Sequence, residues 1–82
     1  MQMSDTNLAT INISRITSDD RRRLLLSFCQ TSRLDVVALQ EVPFARCPIL
    51  ESSYSLISNP GPHKIGTAIL VRSDLASEVL EV

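Results

Sequence analysis

Two residues of this sequence have types and positions suited to chemistry at the end of a strand, Asn12 and Glu41. A carboxylate with an amide beside it fits a magnesium site. Mg²⁺ is usually held by one or two carboxylates, and waters and substrate phosphate complete its shell. In that arrangement Glu41 is the direct metal ligand, and Asn12 orients Glu41, a water or a phosphate oxygen. The plainer alternative is a strand-terminal Glu in solvent and an Asn that satisfies a turn. Spacing alone leaves both open.

Other candidates carry less. Gly61-Pro62-His63-Lys64-Ile65-Gly66-Thr67 has the outline of a phosphate loop. It lacks the Lys before the hydroxyl, it leads into a strand rather than a helix, and Pro62 removes a cradling N–H. His63 is the only histidine, so no His-based metal cluster is possible, and it reads as a turn residue. Cys29 and Cys47 are too few and too far apart for a zinc pattern. With no export signal at the start of the sequence, both are expected to be reduced thiols, Cys29 in the core. Asn12-Ile13-Ser14 matches a glycosylation sequon but falls at a strand in a chain expected to be intracellular, cytoplasmic or nuclear, and not secreted.

Asn12 and Glu41 can meet only if the elements around them are arranged in one way. Leu8 to Ile13 reads as a strand, with Thr10 and Asn12 on one face and Ala9, Ile11 and Ile13 on the other. Thr17-Ser18-Asp19-Asp20 is a helix start, with capping hydroxyls and then acids facing the positive end of the dipole. The helix is predicted over 19–31, with Leu25, Phe28 and Cys29 as its apolar stripe and Arg21, Arg22 and Arg23 as a solvated collar. Val36-Val37-Ala38-Leu39 is a continuous apolar run leading to Gln40-Glu41. A strand of this kind is normally covered on both faces. Strand, helix and buried strand make a right-handed βαβ unit with parallel strands. Both strands then end at the same edge, where ligands of α/β sheets tend to bind.

Val42-Pro43 closes the second strand. Residues 44–53 read as a loop or short irregular helix. Tyr54–Ser58 and Gly66–Val71 are predicted as an antiparallel hairpin around the turn signal Asn59-Pro60-Gly61-Pro62. Ser73-Asp74-Leu75 turns, and 78–82 begins a further strand. Residues 1–7 are polar and expected to be a flexible N-terminus, with 8–82 as one domain.

Composition limits the function classes. The 82 residues carry a net charge of −1, so a nucleic-acid clamp working through bulk positive charge is excluded. Seven of the eight cations are Arg, which suits bidentate contact with phosphate or carboxylate. No apolar run approaches the roughly 20 residues that span a bilayer, so no membrane role is expected. A chain this short covers one face of its sheet with its helix and leaves the other bare. It is therefore expected to be a piece of a larger domain or to need a partner over the open face.

Ala9-Thr10-Ile11-Asn12-Ile13, a helix, Leu34-Asp35-Val36-Val37-Ala38-Leu39-Gln40-Glu41-Val42 and then Gly66-Thr67-Ala68-Ile69-Leu70-Val71 together resemble the endonuclease/exonuclease/phosphatase superfamily. The likeness is greatest to the apurinic-type endonuclease domain of non-LTR retrotransposons. Leu39-Gln40-Glu41 at the end of a buried strand is its most specific element. The resemblance runs from about residue 8 to 82 and covers only the opening third or so of the family domain. It implies an α/β fold, part of a four-layer α/β sandwich built as a βαβ unit followed by an antiparallel hairpin, and truncated. It also implies Glu41 as a Mg²⁺ ligand, Asn12 as an active-site hydrogen-bonding residue, and target DNA nicking with DNA as the partner of the full-length domain.

The sequence departs from the family where Ser14 replaces a second Asn, and in having no counterpart of the later catalytic Tyr, Asp-x-Asn and Ser-Asp-His segments. His63 does not match the late His. The expectation is an amino-terminal fragment that is inactive alone. The alternatives are a fragment of another phosphodiesterase or phosphatase of the superfamily, or a non-catalytic α/β interaction module.

Overall fold

A computed structural model of the protein describes residues 6–14, 16–59, 61 and 66–75. The predicted strand at 78–82, the start of the flexible N-terminus, Pro60 and Pro62 of the predicted turn, and His63 lie outside the described residues.

The chain is an α/β fold. In order along the chain come β1 (Leu8–Asn12), α1 (Asp19–Thr31), β2 (Val36–Val42), α2 (Pro48–Glu51), β3 (Tyr54–Asn59) and β4 (Gly66–Arg72). The strands form one four-stranded mixed sheet in the order β1-β2-β4-β3. β1 pairs parallel to β2, from Leu8 opposite Val36 to Asn12 opposite Gln40. β4 runs antiparallel to both β2 and β3. The hairpin predicted from the turn signal is present, and its second strand inserts beside β2 so that β3 becomes an edge. No helix among the described residues is long and apolar enough to cross a membrane.

The alternation of side chains along each strand sets the two faces of the sheet. Ala9, Ile11, Val37, Leu39, Leu56, Ala68 and Leu70 pack into one core with Leu25 and Cys29 of α1 and Leu50 of α2. Both thiols are free and fully buried, and burial pushes the Cys29 thiol above its ordinary value. Among the described residues the opposite face is only partly covered. Leu8, Ile57 and Ile69 are exposed there, Val36 and Ala38 are half-buried, and Val71 is buried. The apolar run of β2 is thus coated on one side by the helices and only partly on the other.

α1 begins where its cap chemistry places it. The Ser18 hydroxyl accepts from the Arg21 N–H at 3.2 Å, and Asp19 and Asp20 occupy the first turn. The inward stripe is narrower than predicted. Leu25 and Cys29 are buried, while Phe28 is 54% and Leu24 68% exposed. Neighbouring positions on a helix are about 100° apart, so with Leu25 and Cys29 facing the sheet, Leu24 and Phe28 fall to the flank. The arginine collar is also not uniformly solvated. Arg22 is half-buried, donates to the Ile16 carbonyl at 3.3 Å and sits 4.7 Å from the centre of the Phe44 ring.

α1 ends in a Schellman motif. Leu34 N–H donates to the Cys29 carbonyl and Arg33 N–H to the Gln30 carbonyl. This geometry puts Arg33 at φ 53°, a left-handed conformation that glycine adopts freely and a residue with a Cβ does not. Leu34, the next residue, is buried in the core, which holds the turn in place.

Arg33→Gly is expected to stabilise the protein by about 1 kcal/mol, because it removes the Cβ penalty and leaves both Schellman hydrogen bonds intact. Thermal unfolding followed by circular dichroism should show a Tm higher by about 4 to 8 °C. An unchanged or lower Tm would show that the left-handed turn is not a source of strain.

Candidate functional site

β1 and β2 run in the same direction and are hydrogen-bonded neighbours, so their carboxyl ends share a rim. Asn12 is the last residue of β1, and Glu41 lies next to the last of β2. Asn12 Nδ2 donates to Glu41 Oε2 at 2.6 Å across a separation of 29 residues. The sequence-predicted pair is brought together.

The orientation of the amide follows from its other hydrogen bond. Asn12 Oδ1 accepts from the Ser14 backbone N–H at 2.9 Å, an Asx-turn that closes the end of β1. An N–H can donate only to the oxygen, so the NH₂ group is left to face the carboxylate. Asn12 therefore both closes a turn and faces Glu41 on the rim, and the first arrangement produces the second. Ser14 takes φ 51° to make the turn. Asn tolerates that left-handed conformation better than Ser.

Glu41 reaches the rim through a break in the strand. Val37 and Leu39 face the core, and strict alternation would send Glu41 after them. The register instead shifts between Gln40, opposite Thr67, and Val42, opposite Gly66. Glu41 is the extra residue of a β-bulge, at φ 56°. Val42 takes the buried phase, and the carboxylate stays at the rim, half-exposed. No glycine marks this bulge, so no sequence signal pointed to it.

The open face carries a row that the sequence does not reveal. Asn12, Gln40, Thr67 and Asn59 stand side by side across all four strands. The two rows behind it are mostly apolar, with Leu8, Val36 and Val71 in one and Ala38, Ile69 and Ile57 in the other. On the helix side an open groove of about 490 Å³ runs from Asn12 and Ser14 past Ile11 to Leu24, Phe28 and Arg21.

The fit to a magnesium ion rests on one carboxylate. Among the described residues no group of three or more His, Cys, Asp or Glu gathers where it could hold a metal. Glu41 Oε2 accepts from Asn12, and Oε1 accepts no hydrogen bond among the described residues. A hydrated Mg²⁺ needs little more protein than this, since it keeps several waters. Asn12 is not a ligand in this arrangement, because its oxygen is held by Ser14 and its nitrogen faces Glu41.

The opposite end of β2 holds a polar cluster that sequence reading missed. Asp35 is buried; its Oδ2 accepts from the Asn7 N–H at 2.8 Å, and Arg72 Nη1 lies 2.7 Å from Oδ1. That second contact is off the line of an aligned hydrogen bond, so Oδ1 gains charge attraction without a well-directed donor. Asn7, at the end of the stretch read as flexible, also donates its side-chain amide to the Arg33 carbonyl, and its own carbonyl accepts from Asp35 and Val36. The Tyr54 hydroxyl donates to the Leu34 carbonyl at 2.6 Å. Burial, then the nearby Cys29 and Asp35, pushes that hydroxyl above its ordinary value and keeps it a donor. The cluster ties β1, β2, β3 and β4 together at one end. Its members are far apart in sequence, so only the pairing of the strands identifies it.

The bulge yields a direct test. Replacing Glu41 removes the same hydrogen bond whether Gly or Ala takes its place, but only Gly is at ease at φ 56°. Glu41→Gly is expected to be more stable than Glu41→Ala by about 1 kcal/mol in urea unfolding. In an ordinary strand position the order would reverse, because Gly weakens strands. A scan against protein-family models finds no match for the chain, and searches of curated proteins and of solved structures find none.

Proposed function

We propose that the chain is the amino-terminal part of a metal-dependent DNA endonuclease of the endonuclease/exonuclease/phosphatase type, with Glu41 as its Mg²⁺ ligand and Asn12 as the residue that holds Glu41 in position. The observation that carries the reading is the 2.6 Å contact between these two side chains on the rim of a parallel strand pair. It is reinforced by the left-handed bulge that keeps Glu41 out of the core. Unfavourable backbone conformations held in place by the surrounding fold cluster at functional sites.

The chemistry divides between the ion and the chain. A magnesium ion supplies charge neutralisation to a phosphodiester under attack. Glu41 gives it one anionic oxygen. Asn12 fixes the carboxylate by a hydrogen bond to its other oxygen, and Ser14 fixes Asn12. Cleavage also needs a positioned nucleophile and help for the leaving group. Nothing near Glu41 among the described residues supplies these, so the proposed role of this part is to hold the metal. The remainder of the domain, or a partner in its place, would cover the sheet face where Leu8, Ile57 and Ile69 are exposed. A second reading, a non-catalytic module that binds through this same face, is favoured by the three exposed apolar residues but leaves the Glu41 bulge unexplained.

The test uses Mn²⁺ as a paramagnetic probe of the Mg²⁺ site. In amide NMR spectra of the labelled chain, substoichiometric Mn²⁺ should broaden Asn12 and Glu41 first, and excess Mg²⁺ should reverse the broadening. Glu41→Gln should abolish it. A plasmid incubated with the chain and Mg²⁺ should not be nicked above background. Broadening that persists in Glu41→Gln would move the metal elsewhere, and plasmid nicking lost in Glu41→Ala would show that this part is catalytically sufficient.

A further inference from the structure

A second site stands at the other end of β2, roughly 20 Å from Glu41 at the usual rise of a strand. It is a pocket of about 230 Å³ lined by Gln30, Arg33, Leu34, Ser53, Tyr54 and Arg72. Leu34 and Tyr54 form its apolar floor. Arg33 and Arg72 bring donors only, and Gln30 and Ser53 bring a donor and an acceptor each. Gln30 Nε2 gives one hydrogen to the Ser53 hydroxyl at 3.0 Å, which leaves its second hydrogen and the hydroxyl's own proton to donate. The backbone acceptors at the end of α1 are consumed. The carbonyls of Phe28, Cys29 and Gln30 are taken by the N–H groups that end α1, and the Leu34 carbonyl is taken by Tyr54.

The two arginines play different parts. Arg72 is fixed, with Nη1 2.7 Å from Asp35 and Nε donating to Asp74 at 2.6 Å, so its single charge is more than offset by those two acids. Its remaining N–H groups stay available as directed donors. Arg33 has no acidic partner and no side-chain hydrogen bond among the described residues. It also stands at the left-handed position of the Schellman turn, where glycine is preferred. An unfavourable backbone conformation at Arg33, whose guanidinium has no partner among the described residues, beside a polar pocket points to a binding role.

We propose that this pocket binds a phosphate or carboxylate group, gripped in bidentate fashion by Arg33 and aligned by Arg72, Gln30 and Ser53. The site is independent of the metal reading at Glu41. Asp35 and Asp74 outweigh the charge of Arg72, and Arg33 brings the site to neutrality, so binding rests on directed hydrogen bonds rather than on net charge.

The test is a titration of the labelled chain with sodium phosphate and, separately, sodium acetate, at an ionic strength held constant with sodium chloride. Saturable shifts of the Arg33 Nε–H, the Gln30 side-chain amide and the Ser53 amide are expected in the millimolar range. Tighter binding of phosphate or of acetate assigns the ligand class. Arg33→Gly should weaken binding by about tenfold or more while the protein stays folded, since the same change relieves the backbone. Ser53→Ala should weaken it less, and Glu41→Gln should leave it unchanged. Shifts that match those from chloride alone, equal binding by Arg33→Gly, or loss of binding in Glu41→Gln would each overturn the proposal.

Discussion

The parallel pairing of β1 with β2 is the constraint on which the rest of the site depends. It brings two side chains that are 29 residues apart to a separation of 2.6 Å and sets them on a solvent-facing rim. An antiparallel pair would have put the end of one strand at the start of the other. α1 makes the parallel arrangement possible by carrying the chain back to the start of β2, and its own burial of Leu25 and Cys29 fixes it against the sheet. At the far end, Asp35, Arg72, Asn7 and Tyr54 lock the starts of β1, β2 and β3 and the end of β4, so the register that aligns Asn12 with Gln40 cannot slip cheaply.

On that frame the site is built from backbone devices more than from unusual side chains. Ser14, Arg33 and Glu41 all take positive φ without being glycine. Each sits just past or near the end of an element, where the chain must turn sharply. Ser14 aims the Asn12 amide, Glu41 escapes the core through its bulge, and Arg33 sits beside a polar pocket. The strain is affordable because buried neighbours hold each position: Ile13 before Ser14, Leu34 after Arg33 and Val42 after Glu41.

Much of this was legible in the residues, and the division follows the range of the interactions. The bounds of α1 rest on local chemistry, the Ser18 cap and a sharp end, and they match the expected 19–31. The apolar run of β2 and the helix before it are enough to predict a parallel pair. What could not be read depends on distant partners or on unusual backbone. The insertion of β4 beside β2 is decided by packing across the whole sheet. The exposure of Phe28 follows from the rotation of α1 about its axis, which periodicity does not fix. The bulge at Glu41 lacks the glycine that would have announced it, and the Asp35–Arg72 pair joins residues that no spacing rule connects. The pair singled out from residue type, Asn12 and Glu41, was found because each ends a strand that is readable on its own.

The most direct measurement of the central claim is a double-mutant cycle between Asn12 and Glu41, with Asn12→Ala, Glu41→Ala and the double variant compared by urea unfolding. A hydrogen bond from Asn12 to the Glu41 carboxylate predicts a favourable coupling of about 0.5 to 1.5 kcal/mol. Additive losses, with no coupling beyond the error of the measurement, would mean that the two side chains do not meet on a common rim and would contradict the account.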